Sequence, residues 1–214
     1  MATLQQIKKV INKILSVEGL GKHLYFFGGA MPYILQGEES EREHSDIDVL
    51  VDISYMEELR ELLKAHQLYR PKRDSLSLGF REDYGCKVFI DDIYVEFEPV
   101  MFENNTMIRK SFSPNQEIVG VESIPFVELT DLIIPVQIDG VDTFSATLEF
   151  IKASKELAVE KYGVASIREK DRKDIDFINH SGIDPQKYER VKKEFSSSTV
   201  KMKSYEEAKK ECNK

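Results

Sequence analysis

The sequence predicts an α/β protein with a mixed, strongly twisted sheet, flanking helices and a helical C-terminal part. Short apolar strands alternate with helical patterns as far as about residue 145, and residues 55–67 match the crossover helix that a parallel strand pair requires. From about Ala153 the chain becomes richer in lysine and glutamate. We therefore expect a core over residues 1–145 and a helical region over residues 146–214.

Composition narrows the class of protein. The chain of 214 residues is 41% hydrophobic and 32% charged, which is typical of a globular protein rather than a disordered one. Its formal net charge of −8 argues against general nucleic-acid binding but leaves room for a local basic groove. Cys86 and Cys212 lie far apart without ligand spacing, so we expect a reduced, cytoplasmic setting. The sequence shows no secretory signal and no apolar run of roughly 20 residues, so we expect no membrane segment.

The first part of the chain has clear helical and strand patterns. Apolar residues recur at helical spacing over Leu4–Val17, and Gly19 and Gly21 end that helix. The elements predicted next are a strand over Leu24–Phe27, a helix over Ala30–Gln36, a charged loop over Gly37–Ser45, a strand over Asp46–Ile53 and a helix over Tyr55–Gln67.

The later patterns are less regular. Asp139-Gly140 indicates a hairpin turn, whereas Phe102–Phe112 gives no assignable pattern. The predicted elements are an alternating strand through Leu76, Leu78 and Phe80, strands over Cys86–Ile90 and Ile93–Val100, strand-like runs over Ile118–Gly120 and Ile124–Pro135, a helix over Thr143–Tyr162 and a helical tail over Asp184–Lys214.

Two aspartates mark the centre of the predicted sheet. Asp46 and Asp48 are two residues apart on one strand and therefore project from the same face, while Ile47 and Val49 face the other way. Two adjacent carboxylates repel each other unless a cation lies between them. Oxygen ligands suit Mg²⁺ or Mn²⁺, and carboxylates usually hold Mg²⁺ together with substrate phosphates. The pair therefore predicts a divalent-metal site.

Gly28 and Gly29 separate the preceding apolar strand from the short helix. Glycine lets the backbone approach a phosphate closely, and the start of a helix offers free N–H groups. We therefore expect this turn to bind phosphates. Arg42, four residues before Asp46, is either a further phosphate contact or a plain surface arginine.

The order Phe27-Gly28-Gly29, sixteen residues, then Asp46-Ile47-Asp48-Val49 resembles the nucleotidyltransferase superfamily typified by DNA polymerase beta. The local sequence around Arg42–Asp48 looks most like that of the small antibiotic and toxin-type members. The resemblance implies a nucleotidyltransferase core that binds an NTP, with two metal ions at Asp46 and Asp48, and it adds Arg42 and Ser45 to the nucleotide contacts. The alternative is a βαβ unit whose aspartates merely meet solvent.

The superfamily carries a third carboxylate on a later strand beside the Asp-x-Asp strand. Glu96 matches that position best, because it lies among the apolar residues Ile93, Val95 and Phe97. Acidic residues are uncommon in such a strand, so a carboxylate there suggests a function. The resemblance implies that it acts as general base or orients a metal for the attacking hydroxyl. Glu98 on the same face is its rival.

A second resemblance covers the C-terminal part. A strand–turn–strand, a helix with a lysine, and the following Lys173–Ile178 helix look like nucleotidyltransferase toxins of the abortive-infection (AbiEii-like) type. In that family a lysine and an aspartate complete the active site, and they map here to Lys152 and Asp174. Lys152 would bind the triphosphate, and Asp174 would position Lys152 or a substrate group. The alternative is a solvated helix with pairs such as Lys170 with Asp174.

One basic cluster stands out in this acidic chain. It contains Arg70, Lys72, Arg73 and Arg81, and it is either a solvated edge or a contact for phosphates or for an RNA acceptor.

These features predict an enzyme that transfers a nucleoside monophosphate from an NTP to an acceptor hydroxyl, with Mg²⁺ or Mn²⁺, and releases pyrophosphate. The acceptor remains open among a small molecule, a tRNA end and a protein. The alternatives are a toxin that acts on RNA or protein and is held by an antitoxin, a degenerate nucleotide-binding domain without turnover, and a non-enzymatic interaction domain.

Overall fold

The computed structural model describes residues 1–40, 42–113, 117–163 and 166–210. In this part of the chain, no helix is both long and apolar enough to cross a membrane. The helices are α1 Leu4–Leu15, α2 Met31–Gln36, α3 Met56–Ala65, α4 Leu129–Leu132, α5 Leu148–Glu156, α6 Ala158–Tyr162, α7 Glu169–His180, α8 Pro185–Ser196 and α9 Tyr205–Lys210. The strands are β1 Leu24–Phe27, β2 Asp46–Asp52, β3 Pro71–Asp74, β4 Cys86–Ile90, β5 Ile93–Glu103, β6 Thr106–Ser113, β7 Ile118–Pro125, β8 Ile133–Ile138, β9 Val141–Ala146 and β10 Thr199–Ser204.

One mixed sheet contains these strands, in the order β10-β7-β6-β5-β2-β1-β9-β8. Strand β5 is long enough to pair with β4 along its first half and with β6 along its second half, and β3 pairs with β4. The pairs β2–β5 and β1–β9 are parallel, and the other pairs are antiparallel. The predicted α/β class with a mixed sheet is confirmed.

Helix α1 covers one face of this sheet. Its buried residues recur at helical spacing, and a capping box between Thr3 and Gln6 satisfies the backbone at its start. The main core lies between this helix, α3 and the inner faces of the central strands, where Phe26, Val49 and Phe97 are almost fully buried. The amphipathic pattern of residues 4–17 was therefore a reliable signal.

The link from β2 to β5 has the predicted direction. Helix α3 follows β2, and the chain returns through β3 and β4 to place β5 parallel to β2. Asp48 then lies opposite Glu96 in register, and Asp46 lies opposite Tyr94. This parallel pair brings the predicted carboxylates to the same end of the sheet.

Three local predictions were wrong. The alternating run around Leu76 and Leu78 forms a short 3₁₀ turn, which Gly79 ends at a φ of +85°, and Phe80 packs in a second, smaller apolar cluster. Residues 143–146 belong to β9, because the Asp139-Gly140 hairpin pairs them with β8 and the sheet pairs them with β1. The run 124–135 divides between β7, α4 and β8.

The C-terminal part is mainly helical, but it also rejoins the sheet. Helices α5, α7 and α8 pack together, whereas β10 pairs with β7 along six residues and forms one edge. The predicted helical tail over 184–214 is therefore interrupted by a strand, and residues 211–214 lie outside the described residues. The division of the chain near residue 145 stays a prediction.

Candidate active site

The carboxylates of β2 and β5 lie on one face of the sheet. Asp46 and Asp48 are partly exposed, while Ile47 and Val49 between and beyond them are buried, as the period of two requires. Glu96 is the direct cross-strand neighbour of Asp48, whereas Glu98 lies opposite Leu50, one step farther from the end of β2. The register therefore favours Glu96 over Glu98 as the third carboxylate.

Asp48 lies among carboxylates of like charge. Burial raises the pKa of Asp48 well above its usual range, and the charges of Asp46, Glu96 and Glu98 raise it further. Burial also raises the pKa of Glu98 to about 7, although Arg109 opposes that shift. Such an accumulation of like charge at one end of a sheet is typical of a functional site rather than of a stabilising network.

The donor chemistry of these residues fits a divalent cation. Carboxylate oxygens are the preferred ligands of Mg²⁺ and Mn²⁺, and a bound cation would relieve the repulsion that raises the pKa of Asp48. Among the described residues, however, no three His, Cys, Asp or Glu side chains already form a group able to hold a metal ion. Glu96 is held instead by Lys87, whose Nζ lies 2.8 Å from Glu96 Oε2. The metal ligands Asp46, Asp48 and Glu96 thus stay predictions.

Gly28 and Gly29 make room for side chains of the site. Gly28 has a φ of +86°, and a Cβ there would collide with the Asp48 carboxylate. A Cβ on Gly29 would collide with the guanidinium of Arg42 and lie 2.6 Å from Asp174 Oδ2. The glycines are therefore required for the close packing of Asp48 and of the Arg42–Asp174 pair, a role that the motif alone did not indicate. Their predicted contact with phosphate remains untested.

Arg42 and Asp174 form a buried, bidentate ion pair. Arg42 Nε and Nη2 donate to the two Asp174 oxygens at 2.7 and 2.8 Å, and the Asp174 side chain is fully buried. Lys155 Nζ lies 3.0 Å from Asp174 Oδ2, and the Tyr33 hydroxyl donates to Asp174 Oδ1 at 3.3 Å. Arg42 is thus not a plain surface arginine, because its guanidinium is already paired with a buried carboxylate. The same ion pair links α7 to the loop before β2.

The structure places Lys155, rather than Lys152, at the pocket. Lys152 Nζ lies 3.7 Å from the centre of the Tyr188 ring and 3.4 Å from Glu156 Oε1, so it faces α8. Lys155 lines the pocket and contacts Asp171 at 2.7 Å. Helical spacing puts Lys155 on the same face of α5 as Ile151 and puts Lys152 on a different one, but the sequence did not indicate which face meets the pocket. The expected position of Lys152 is corrected accordingly.

Several residues that the sequence did not single out also line the pocket. Arg168 Nε donates to Asp171 Oδ2 at 2.5 Å, and Arg109 from β6 lies 2.6 Å from Glu122. Lys170 Nζ donates to Ser45 Oγ at 3.2 Å, and Ser45 in turn donates to Asp46 at 2.8 Å. A basic and acidic run such as Arg168–Asp171 gives no local signal that it faces a pocket.

His44 closes the pocket beside Arg42. Its side chain is almost fully buried and approaches Ser40 Oγ to 3.2 Å through Nε2. Burial, reinforced by the charge of Arg42, lowers the pKa of His44 to about 4. The ring is therefore neutral at physiological pH and adds no positive charge to the pocket.

These residues enclose a cavity of about 390 Å³. Asp46, Asp48 and Glu96 lie on its floor, and its walls carry the side chains of Arg42, Arg109, Lys155, Arg168 and Lys170. The sequence-predicted residues Gly28, Gly29, Arg42, Asp46, Asp48 and Glu96 therefore meet at one place, Ser45 and Asp174 lie directly beside it, and Lys152 does not.

Comparison with solved structures identifies the fold of the chain. No family model matches the chain, and no curated protein matches its sequence. Among solved structures, the antibiotic-resistance factor ANT(2'')-Ia in solution superposes with a TM-score of 0.61 at 17% identity, over 90% of this chain and 92% of that one. The chain has the nucleotidyltransferase fold. The crystal structure of ANT(2'')-Ia in complex with adenylyl-2''-tobramycin gives a TM-score of 0.58 at 19% identity, over 90% and 98% of the two chains.

A third structure with the nucleotidyltransferase fold agrees. The lincosamide antibiotic adenylyltransferase LnuA, bound to lincomycin, superposes with a TM-score of 0.52 at 14% identity, over 83% of this chain and 97% of that one. The expected nucleotidyltransferase architecture is therefore confirmed over most of the chain. At these identities the likeness establishes the fold, and the chemistry has to be argued from the residues of the pocket.

Proposed function

We propose that this protein transfers a nucleoside monophosphate from an NTP to an acceptor hydroxyl. The observation that carries the proposal is the arrangement of the pocket, in which three carboxylates lie next to a wall of cationic side chains. In the reaction, the acceptor oxygen forms a bond to the α-phosphorus while the bond from the α-phosphorus to the bridging oxygen breaks. Pyrophosphate leaves, and the hydroxyl proton passes to a carboxylate.

The cationic wall would bind the triphosphate. Lys155, Arg168 and Lys170 extend into the pocket from α5 and from the start of α7, and Arg42 joins them from the loop before β2. Lysine and arginine side chains neutralise phosphate oxygens and can stabilise charge on a leaving pyrophosphate. Asp171 and Asp174 hold three of these cations in place, so the wall is ordered before a nucleotide arrives.

The carboxylate floor would bind divalent cations and receive the proton. Asp46 and Asp48 are the ligands that their position supports best, and a bound Mg²⁺ would polarise the α-phosphoryl group and lower the pKa of the attacking hydroxyl. Glu96 lies next to Asp48 and can accept that proton. Lys87 holds the Glu96 carboxylate in the partly exposed face of β5 and thereby limits the positions that it samples.

Charge balance makes nucleotide binding dependent on a divalent cation. The pocket is lined by five cationic side chains and by four carboxylates, namely Asp46, Asp48, Glu96 and Asp171. A triphosphate entering this nearly neutral pocket would meet repulsion from the floor unless cations screened it. The affinity for an NTP should therefore rise steeply with Mg²⁺ or Mn²⁺.

Thermal unfolding of the protein with each of the four NTPs, with and without Mg²⁺ or Mn²⁺, tests the proposal. A ligand that binds only the folded state raises the free energy of unfolding by about 2.7 kcal/mol at 100 times its Kd. We expect a metal-dependent shift with at least one NTP, loss of that shift in Asp48→Asn, and pyrophosphate release when an acceptor is supplied. Absence of any nucleotide shift in the wild type would overturn the proposal.

A further inference from the structure

A lysine adjoins the carboxylates on the floor of the pocket. In register, Lys87 on β4 is the direct neighbour of Glu96 on β5, and Glu96 is the direct neighbour of Asp48 on β2. Residues that are directly opposite in neighbouring strands share a face of the sheet. A single row across three strands therefore carries two carboxylates and then an ammonium group.

Lys87 is held in place on several sides. The residue is 7% exposed, and its Nζ lies 2.8 Å from Glu96 Oε2 and 5.1 Å from the centre of the Phe112 ring. Its charge, together with that of Arg109, opposes the rise that burial causes in the pKa of Glu98. A buried ammonium is costly unless a carboxylate pairs with it. Lys87 is therefore a fixed charge of the site rather than a surface lysine.

The two aspartates of β2 have a different environment. Among the described residues, Glu96 is the only one of the three floor carboxylates that forms an ion pair. The Asp46 carboxylate accepts a hydrogen bond from Ser45 at 2.8 Å, and Asp48 lies among like charges that add to the effect of burial on its pKa. The demand for a further cation is therefore at Asp46 and Asp48, and it is already met at Glu96.

A second metal ion at this site would need Glu96 as a ligand. To bind there, the ion would have to displace Lys87 from Glu96 Oε2 and leave a buried ammonium beside a divalent cation. That change combines the loss of an ion pair with like-charge repulsion. In contrast, one divalent ion at Asp46 and Asp48, together with the Lys87 ammonium, balances the three negative charges of the floor.

We propose that Lys87 takes the place of a second metal ion, so that the site binds one divalent ion instead of two. This inference rests on the proposed function. Lys87 is a positioning residue, because it acts through Glu96 and does not itself line the pocket. It holds the Glu96 carboxylate, which can then receive the proton of the attacking hydroxyl without a metal ion bound to it.

Counting bound Mn²⁺ tests the proposal without any turnover. Electron paramagnetic resonance measures free Mn²⁺, and subtracting the count for Asp48→Asn removes ions that bind elsewhere on the acidic surface. We expect the wild type to bind one Mn²⁺ ion more than Asp48→Asn does. Glu96→Gln should bind as many ions as the wild type, because Lys87 and not a metal ion is its partner. A difference other than one ion, or the loss of an ion in Glu96→Gln, would overturn the proposal.

Substitution of the lysine should create the missing site. Lys87→Met keeps most of the bulk of the side chain without its charge, so Glu96 can become a ligand and a second Mn²⁺ ion should bind. Lys87→Arg keeps a cation and should bind one ion, as the wild type does. Lys110→Met is the matched control, because Lys110 pairs with Glu82 at 2.9 Å and neither residue lines the pocket. A single ion in Lys87→Met would refute the role of Lys87, and the count for Glu96→Gln decides the question even if Lys87→Met failed to fold.

The dependence of turnover on metal concentration gives a second readout. In the wild type, the initial rate should follow a single-site curve against free Mn²⁺, whereas Lys87→Met should give a steeper, cooperative curve. A merely structural role of Lys87 would lower the rate without changing the shape of the curve. A cooperative curve in the wild type would contradict the proposal.

The result can be separated from the proposed function. A metal-dependent NTP shift in the wild type together with two Mn²⁺ ions would leave nucleotidyl transfer standing and remove the role of Lys87. One Mn²⁺ ion that depends on Asp48, without any NTP shift, would overturn nucleotidyl transfer, and with it the reaction that Lys87 is proposed to serve.

Discussion

Two pairs of aspartates border the same pocket, and their surroundings are opposite. On α7, Asp171 and Asp174 contact the cations Lys155, Arg42 and Arg168 at distances between 2.5 and 3.0 Å. Burial alone would raise the pKa of Asp171, but its bonds to Arg168 and Lys155 outweigh burial and hold that pKa below its usual range. This pair is buried and neutralised, which is what a stabilising network requires.

The pair on β2 has no comparable compensation. Asp48 lies beside Asp46, Glu96 and Glu98, and burial together with these charges raises its pKa. A fold that keeps like charges together loses stability, and natural proteins tolerate this mainly where the charges perform chemistry. The difference separates positioning residues on α7 from the residues on β2 that we expect to contact metal and substrate.

The largest expected effect is on the rate of catalysis, and it tests whether Asp46 and Asp48 are catalytic or are only the end of a strand. Asp46→Asn and Asp48→Asn should lower the rate of pyrophosphate release by at least about 100-fold, because metal coordination is worth several kcal/mol at the transition state. Without metal, both variants should unfold at or above the wild-type temperature, since repulsion is reduced. Asp52→Asn, at the other end of the same strand, is the matched control. Wild-type turnover in either variant would remove the β2 pair from catalysis.

The next effect concerns stability on the α7 side. Asp174→Ala leaves Arg42 without its buried partner, removes one of the two carboxylates around Lys155, and should lower the free energy of unfolding by about 3–5 kcal/mol. Urea denaturation measures this change. Glu169→Gln, which breaks the exposed pair with Lys173 on the same helix, should change it by less than about 0.5 kcal/mol. Similar losses in the two variants would show that the buried network is not what holds α7 in place.

A smaller effect distinguishes the two lysines of α5. Lys155→Gln should raise the KM for NTP about tenfold, because it removes a charged hydrogen-bond donor from the pocket. Lys152→Gln should leave that KM unchanged and alter only stability, through its contacts with Tyr188 and Glu156. Steady-state kinetics at saturating acceptor decides between them. The reverse pattern would restore the lysine that the resemblance favoured.

The sequence singled out the residues that meet on the floor of the pocket, but not most of the residues that form its walls. The apolar strand before Gly28 and the two aspartates of β2 can each be recognised from a few residues, because turn geometry and strand period are local properties. Arg109 reaches the pocket only because β5 extends to Glu103 and pairs with β6, in a stretch where the pattern gave no assignment. Lys155 and Arg168 depend on how α5 and α7 pack on the sheet, and no periodicity of one helix records that packing.

The smallest expected effect is on how the free energy of unfolding depends on pH, and it concerns Asp171 of the α7 pair. The pKa of Asp171 is lower in the folded protein than its ordinary value of 3.8, because Arg168 and Lys155 stabilise its charged form. A carboxyl with a lowered folded pKa stabilises the fold fully above about pH 5, and this contribution is lost as the pH falls through the folded pKa. In Asp171→Asn, the free energy of unfolding should therefore fall less steeply between about pH 5 and pH 2 than in the wild type. Urea titrations across that range measure the slope, and Asp176→Asn on the exposed side of α7 provides the control. If both variants kept the wild-type slope, the cations around Asp171 would contribute no net stability, and the contrast between the two aspartate pairs would rest on geometry alone.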